Sequence, residues 1–158
     1  MGGFSGSATQ EQVIAKSAVA VTNPLDANEN ILATITLPPL QPNSVVKLRY
    51  IGTKTGTNTI ILRARLGGIG GTIHSTMAMA SPITTNESRD IYNRGATNSQ
   101  ISHALGTAPF GTSAVAITTG SIDTSVSTTL VITALQNAPS VSAGEVVKLE
   151  AYSVSVVY

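Results

Sequence analysis

The glycine-rich stretch Leu66-Gly67-Gly68-Ile69-Gly70-Gly71 follows an apolar run and carries the residue types of a phosphate-cradling loop. A dinucleotide fingerprint needs G-x-G-x-x-G opening a helix, so that free backbone N–H groups meet a pyrophosphate. Gly68 and Gly70 supply the first half, but Ile73 stands where the third glycine belongs and strand-forming residues follow. A Walker loop fails as well, because no lysine follows these glycines and the spacing of Gly52-Thr53-Lys54-Thr55-Gly56 is wrong. The loop is therefore predicted to turn a hairpin, its glycines free to take positive φ.

The other chemically suggestive residues are sparse. Asp26-Ala27-Asn28-Glu29-Asn30 resembles the start of a calcium loop, but Ile31 and Leu37 replace the required glycine and glutamate, so an Asx-turn loop is expected. There are two histidines, His74 and His103, and no H-E-x-x-H or G-x-S-x-G pattern. Alternation with Ile73 suggests that His74 faces solvent or an interface. Glu87 and Asp90 could meet in space, although nearness in sequence does not make a glycosidase pair. With no cysteine there is no thiolate metal site, disulfide or cysteine nucleophile. The Asn86-Glu87-Ser88 sequon stands without a secretion signal and reads as chance. No enzyme, metal or cofactor is expected.

The elements that must carry these residues read as strands. "ILATITL" (31 to 37) would place Ile31, Ala33, Ile35 and Leu37 on one face. "VVKLRYI" (45 to 51) sets Val46, Leu48 and Tyr50 against Lys47 and Arg49, and "TIILRARL" (59 to 66) sets Ile60, Leu62, Ala64 and Leu66 against Arg63 and Arg65. Segments 13 to 21, 72 to 80, 88 to 94, 113 to 119, 128 to 134 and 145 to 158 continue the series between Gly, Pro, Asn and Ser clusters. No stretch shows a capped 3.6-residue stripe. The expected fold is an all-β, two-sheet antiparallel sandwich of jelly-roll type with roughly eight or nine strands. The expected organisation is an N-terminal arm (1 to 11) and one domain (12 to 158), with the last strand an inner, paired one.

Charged residues make up 11% of the chain, against about 25% in an ordinary soluble domain, and the net charge is +1. That balance gives no field for nucleic acid or an anionic membrane, and no apolar run is long enough to span a bilayer. Subunit association is expected to cover part of so weakly charged a surface. Phe4, the one large apolar side chain after Met1 in a small-residue arm, is either part of a flexible terminus or the anchor of that arm on a neighbouring surface. If "GTKTGTN" turns a hairpin, Lys47, Arg49, Arg63 and Arg65 crowd one sheet face, either as a solvated surface or as a dock for an acidic partner. Tyr92 and Arg94, in "DIYNRGATNSQ", are of types enriched at binding hot spots. Core packing of Tyr92 is the alternative.

"TNTIILRARLGGIGGTI", "IYNRGATNSQ", "TTGSIDTSVSTTLVITALQNA" and "VKLEAYSVSVVY" together resemble small β-sandwich virion proteins of tailed bacteriophages. That group includes head decoration (cement) proteins and related tail or fibre components. The resemblance covers most of residues 30 to 158. It implies a jelly-roll subunit, commonly a homotrimer, that attaches to a virion and has no family catalytic residues. The expected function is a decoration protein on the capsid exterior, made in the host cytoplasm, that bridges and stabilises major capsid protein subunits. The alternative is a tail, fibre or baseplate component whose partner is a tail protein or host surface glycan, although a chain without tryptophan is poor in sugar-stacking aromatics. A genome-enclosing coat protein would need a basic inner arm, and the first cation is Lys16.

Overall fold

In the computed structural model, residues 10–24, 26–106, 113–136 and 144–158 are described; Phe4 lies outside them. These contain eleven strands and no helix: β1 (Glu11–Ser17), β2 (Val21–Thr22), β3 (Glu29–Leu37), β4 (Val45–Thr55), β5 (Ile60–Leu66), β6 (Thr72–Met79), β7 (Ile83–Asn93), β8 (Gln100–Ser102), β9 (Thr118–Gly120), β10 (Thr128–Gln136) and β11 (Val146–Val157). The larger sheet has the order β1-β11-β4-β7-β8-β9, with β2 also on β11; the smaller is β3-β10-β5-β6. All pairings are antiparallel.

The two halves of the chain pair in reverse order: β1 with β11, β3 with β10, β4 with β7, and β5 with β6. This is one long antiparallel ribbon, rolled until β11 also meets β4 and β10 also meets β5. The result is a jelly roll, with β8 and β9 as an extension of the larger sheet. Its last strand is an inner one, as the sequence suggested.

The glycine stretch is the tip of that ribbon. Leu66 pairs Thr72 across residues 67 to 71, with φ of +92° at Gly67 and +79° at Gly68. The N–H groups of both glycines donate to the Thr129 carbonyl, at 2.8 and 3.0 Å, and that of Gly71 donates to Gly68. Donors committed in this way offer nothing to a phosphate.

Period-two alternation holds in β4 and β5, whose inward residues include Leu48, Tyr50, Leu62 and Leu66 and whose outward residues include Lys47, Arg49, Arg63 and Arg65. It fails in β3, where Ile31 is 47% exposed and Leu32 is buried. A bulge at Leu32, between the pairs Ala33–Ile132 and Ile31–Thr133, moves the rest of the strand to the other phase. A second bulge between Ile73 and Ser75 turns His74 inward, fully buried, where solvent or interface exposure was expected.

Two further expectations are corrected. "GTKTGTN" is not a hairpin, because β4 and β5 belong to different sheets. Buried Lys54 donates to the Thr55 and Gly56 carbonyls while Glu145 accepts from Thr57 and Asn58 N–H, and these bonds hold the crossing. The strand expected from residue 88 begins at Ile83, and the one expected over 113 to 119 is reduced to Thr118–Gly120. The start of β7 carries no sequence signal because its inward residues are Thr85, Glu87 and Arg89, so no apolar alternation marks it.

The loop geometry supplies a test of the hairpin assignment. A Cβ at Gly71 would lie 2.0 Å from the Leu66 carbonyl oxygen, whereas one at Gly70 would meet nothing. Gly71→Ala is expected to lower stability by about 1–3 kcal/mol and Gly70→Ala to change it little, as measured by urea unfolding.

Candidate functional site

The outer face of the larger sheet gathers three of the residues singled out above. Lys47 and Arg49 point outward from β4, with Asp90 and Ser88 of β7 opposite them. Tyr92, further along β7, stands between Val45 and Ile101. It is 43% exposed, so core packing does not account for it. Its hydroxyl donates to Asp90 Oδ2 at 3.3 Å.

Around these residues lies a groove of about 570 Å³. Tyr92, Ile101, Ile117 and His103 give it apolar and aromatic lining; Ser88, Asp90, Lys47 and Arg49 supply polar groups, and buried Arg89 and Ser102 complete it. On the far side of Lys47 and Arg49 is a smaller hollow of about 260 Å³, bordered by Glu11, Val13, Ser153 and Ser155. Lys47 Nζ bridges Glu11 Oε2 at 3.1 Å, and both side chains are well exposed. The Ser155 hydroxyl, then Lys47, hold the Glu11 carboxyl below its ordinary range. Among the described residues no carboxylate bridges exposed Arg49.

Arg63 and Arg65 are on the opposite outer face, because β5 belongs to the smaller sheet. Both are neutralised there. Arg63 Nη1 donates to Glu29 Oε2 at 2.9 Å, and Arg65 reaches both oxygens of Glu29 at 2.8 Å. Thr133 adds a fourth donor. The Arg65 hydrogen bond leads the causes that bring the Glu29 carboxyl down to about 2. Pairing with Glu29 was not legible in sequence, since it depends on β3, β10 and β5 lying side by side. Arg94 lies beyond the end of β7, exposed, its N–H donating to the Ser99 carbonyl at 2.7 Å.

Two of the residues that could do acid–base chemistry, Glu87 and His74, are in the interior. Glu87 points inward and Asp90 outward, as an odd spacing on one strand requires, so they form no pair. Glu87 Oε1 accepts from Arg89 Nε at 2.7 Å and from Ser75 at 3.1 Å, and the Ser75 and Tyr50 hydroxyls are 2.9 Å apart. Burial pushes the Tyr50 phenol above its ordinary range. His74 Nδ1 lies 3.0 Å from Ser102 Oγ, the spacing of a nucleophile and base. Among the described residues no carboxylate orients the other ring nitrogen, and burial lowers the imidazole to about 4, so it is neutral at pH 7. The pair ties β6 of one sheet to β8 of the other. Among the described residues no cluster of His, Asp and Glu could hold a metal. Asp26 instead closes an Asx turn, accepting from Asn28 N–H at 2.9 Å and from Asn30 at 2.7 Å.

The fold and this face together define a jelly-roll β-sandwich with a polar-rimmed groove on its larger sheet. No family model matches the chain, and no curated protein matches it. Among solved structures it is similar to chains in two structures of infectious bursal disease virus, strains Gx and Gt. Identity is 11% to each; the alignments cover 94% and 96% of this chain and 39% and 42% of theirs, with TM-scores of 0.33 and 0.25. The chain therefore spans about two-fifths of the length of those viral chains.

The buried imidazole sets an acid response. A folded-state value near 4 against 6.5 when unfolded means that, as pH falls below 6.5, the unfolded chain takes up a proton that the fold refuses. Stability is complete above that range and declines towards pH 4, by about 3 kcal/mol from this residue. Glu29, depressed from 4.5 to about 2, extends the decline below pH 4.5. Unfolding free energies at pH 7, 5.5 and 4.5 are expected to fall less steeply in His74→Asn than in the wild type.

Proposed function

We propose that this chain is a non-enzymatic structural protein of a virion, and specifically a capsid decoration protein that docks on major capsid protein through the outer face of the larger sheet. The observation that carries the reading is that face. Tyr92 and Ile101 form an apolar centre, and Arg49 and Lys47 form a charged rim, in the arrangement that protein interfaces favour.

Three things support the assignment. The jelly roll is an architecture used by capsid domains. The phrases of the sequence resemble phage virion proteins. A surface this poor in charge suits a protein that spends its life against other subunits. A homotrimer would bridge several capsid subunits at once, and weak contacts would add through multivalency. The proposed location is the capsid exterior, reached after synthesis in the host cytoplasm.

The test is sedimentation of the purified protein with capsids lacking it. Saturable binding that raises the temperature of capsid disruption is expected. Tyr92→Ala and Arg49→Glu are each expected to weaken binding tenfold or more, by about 1.4 kcal/mol, while leaving the protein's own melting unchanged. Failure of the wild type to bind would transfer the proposal to a tail or fibre location.

A further inference from the structure

Strand β9 ends the larger sheet and has three cross-strand pairs, all of them to β8. The residue before it, Ile117, is 53% exposed and lines the groove, and Val115 is exposed as well. Beyond β9 the chain is fastened: Gln100 Oε1 accepts from Ile122 N–H and Gln100 Nε2 donates to the Ile122 carbonyl, both at 2.9 Å. An edge strand with so few pairs, between an exposed stretch and a fixed point, is the part of the sheet that opens at least cost.

His74 lies against this strand. A Cβ at Gly120 would stand 3.1 Å from His74 Nε2, so the backbone of β9 lies over that nitrogen. Nε2 is buried and has no hydrogen-bond partner among the described residues, while Nδ1 is held by Ser102. A neutral ring tolerates this arrangement. A protonated ring carries an N–H at both nitrogens, and one of them is then buried without an acceptor. Among the described residues no free charge faces the ring to offset that cost. β4 presents Tyr50, β8 presents Gln100 and Ser102, and β7 presents Glu87 and Arg89, already paired at 2.7 Å. β5 turns Arg63 and Arg65 to the other side of its sheet, and His103 and Asp90 line the groove.

We propose that β9 is an acid-released flap: protonation of His74 parts Thr118–Gly120 from β8 and withdraws Ile117 from the wall of the groove. In the open form Nδ1 keeps Ser102 and Nε2 donates to water, so both N–H groups of the cation are satisfied. Burial holds the covered imidazole near 4, against 6.5 when it is free, so the open population rises about twentyfold between pH 7 and pH 5. The inference concerns the chain's own fold and does not rest on the capsid assignment.

Amide hydrogen exchange on the full chain, corrected for the effect of pH on free amides, tests this. From pH 7 to pH 5 the protection of residues 118–120 is expected to fall about twentyfold in the wild type and in His103→Asn, and to stay level in His74→Asn. At both pH values it should lie about tenfold or more below the protection of β10. One shared protection for residues 118–120 and β10 at both pH values would mean that only global unfolding releases His74, and the flap would be overturned. Protection independent of pH in the wild type would overturn it too, as would a response abolished by His103→Asn. A second variant reads the same contact should His74→Asn not fold. The Cβ of Gly120→Ala, set against Nε2, is expected to lower the protection of residues 118–120 at pH 7 severalfold and that of β10 much less. An equal loss in both would count against the proposal.

Discussion

Strand β4 runs through the middle of the larger sheet with both backbone edges occupied, β11 on one side and β7 on the other. Both of its faces are committed too. Val46, Leu48, Tyr50, Gly52 and Lys54 point inward, and Lys47 and Arg49 point outward. Gly52 allows Leu62 of the facing sheet to come close, since a Cβ there would lie 2.3 Å from a Leu62 methyl. A one-residue slip of β4 would bury Lys47 and Arg49 and expel Leu48 and Tyr50, so its register sets that of the whole sandwich. The lateral row that makes the candidate face is a consequence of that register.

The interior holds charged and polar side chains beside its apolar core. Arg89 and Glu87 are paired within it, Ser75 and Tyr50 extend the chain of hydrogen bonds from one sheet to the other, and Lys54 meets Glu145 at 3.3 Å. Buried ion pairs of this kind add little net stability, because desolvation offsets much of the attraction. Removing one partner is another matter, since it strands a charge. Both pairs therefore restrict how strands and loops fit together: Arg89 also reaches the Ala104 carbonyl after β8, and Lys54 with Glu145 closes the crossing from β4 to β5.

The two outer faces are chemically different: Lys16, Lys47, Arg49 and Lys148 point outward from the larger sheet, and Arg63 and Arg65 from the smaller. On the smaller sheet, Glu29 receives Arg63, Arg65 and Thr133 together and leaves a self-satisfied surface. On the larger sheet, the Lys47–Glu11 bridge is exposed and Arg49 has no carboxylate bridge among the described residues, beside a groove with an aromatic wall. Apolar area left exposed on that face is area that contact would bury favourably, while the charges beside it stay solvated at the rim. That asymmetry is why the larger sheet is the better candidate for contact.

The sequence by itself determined the all-β class, the alternating faces of β4 and β5, the inner position expected for the last strand and the turn made by Gly67 to Gly71. Each of these follows from local periodicity or from a residue's own conformational range, and both are written in neighbouring positions. The inward turn of His74 and the exposure of Ile31 were hidden, because a single bulged residue reverses the phase of a strand without altering its composition. The polar start of β7 was missed because its buried side chains are satisfied by partners distant in sequence. The candidate site was legible as a set of residue types, Lys47, Arg49 and Tyr92, but not as a place. Tertiary structure alone decided that Arg63 and Arg65 would be drawn to Glu29 on the far side, because cross-strand neighbours are chosen by the rolling of the ribbon and not by distance along the chain.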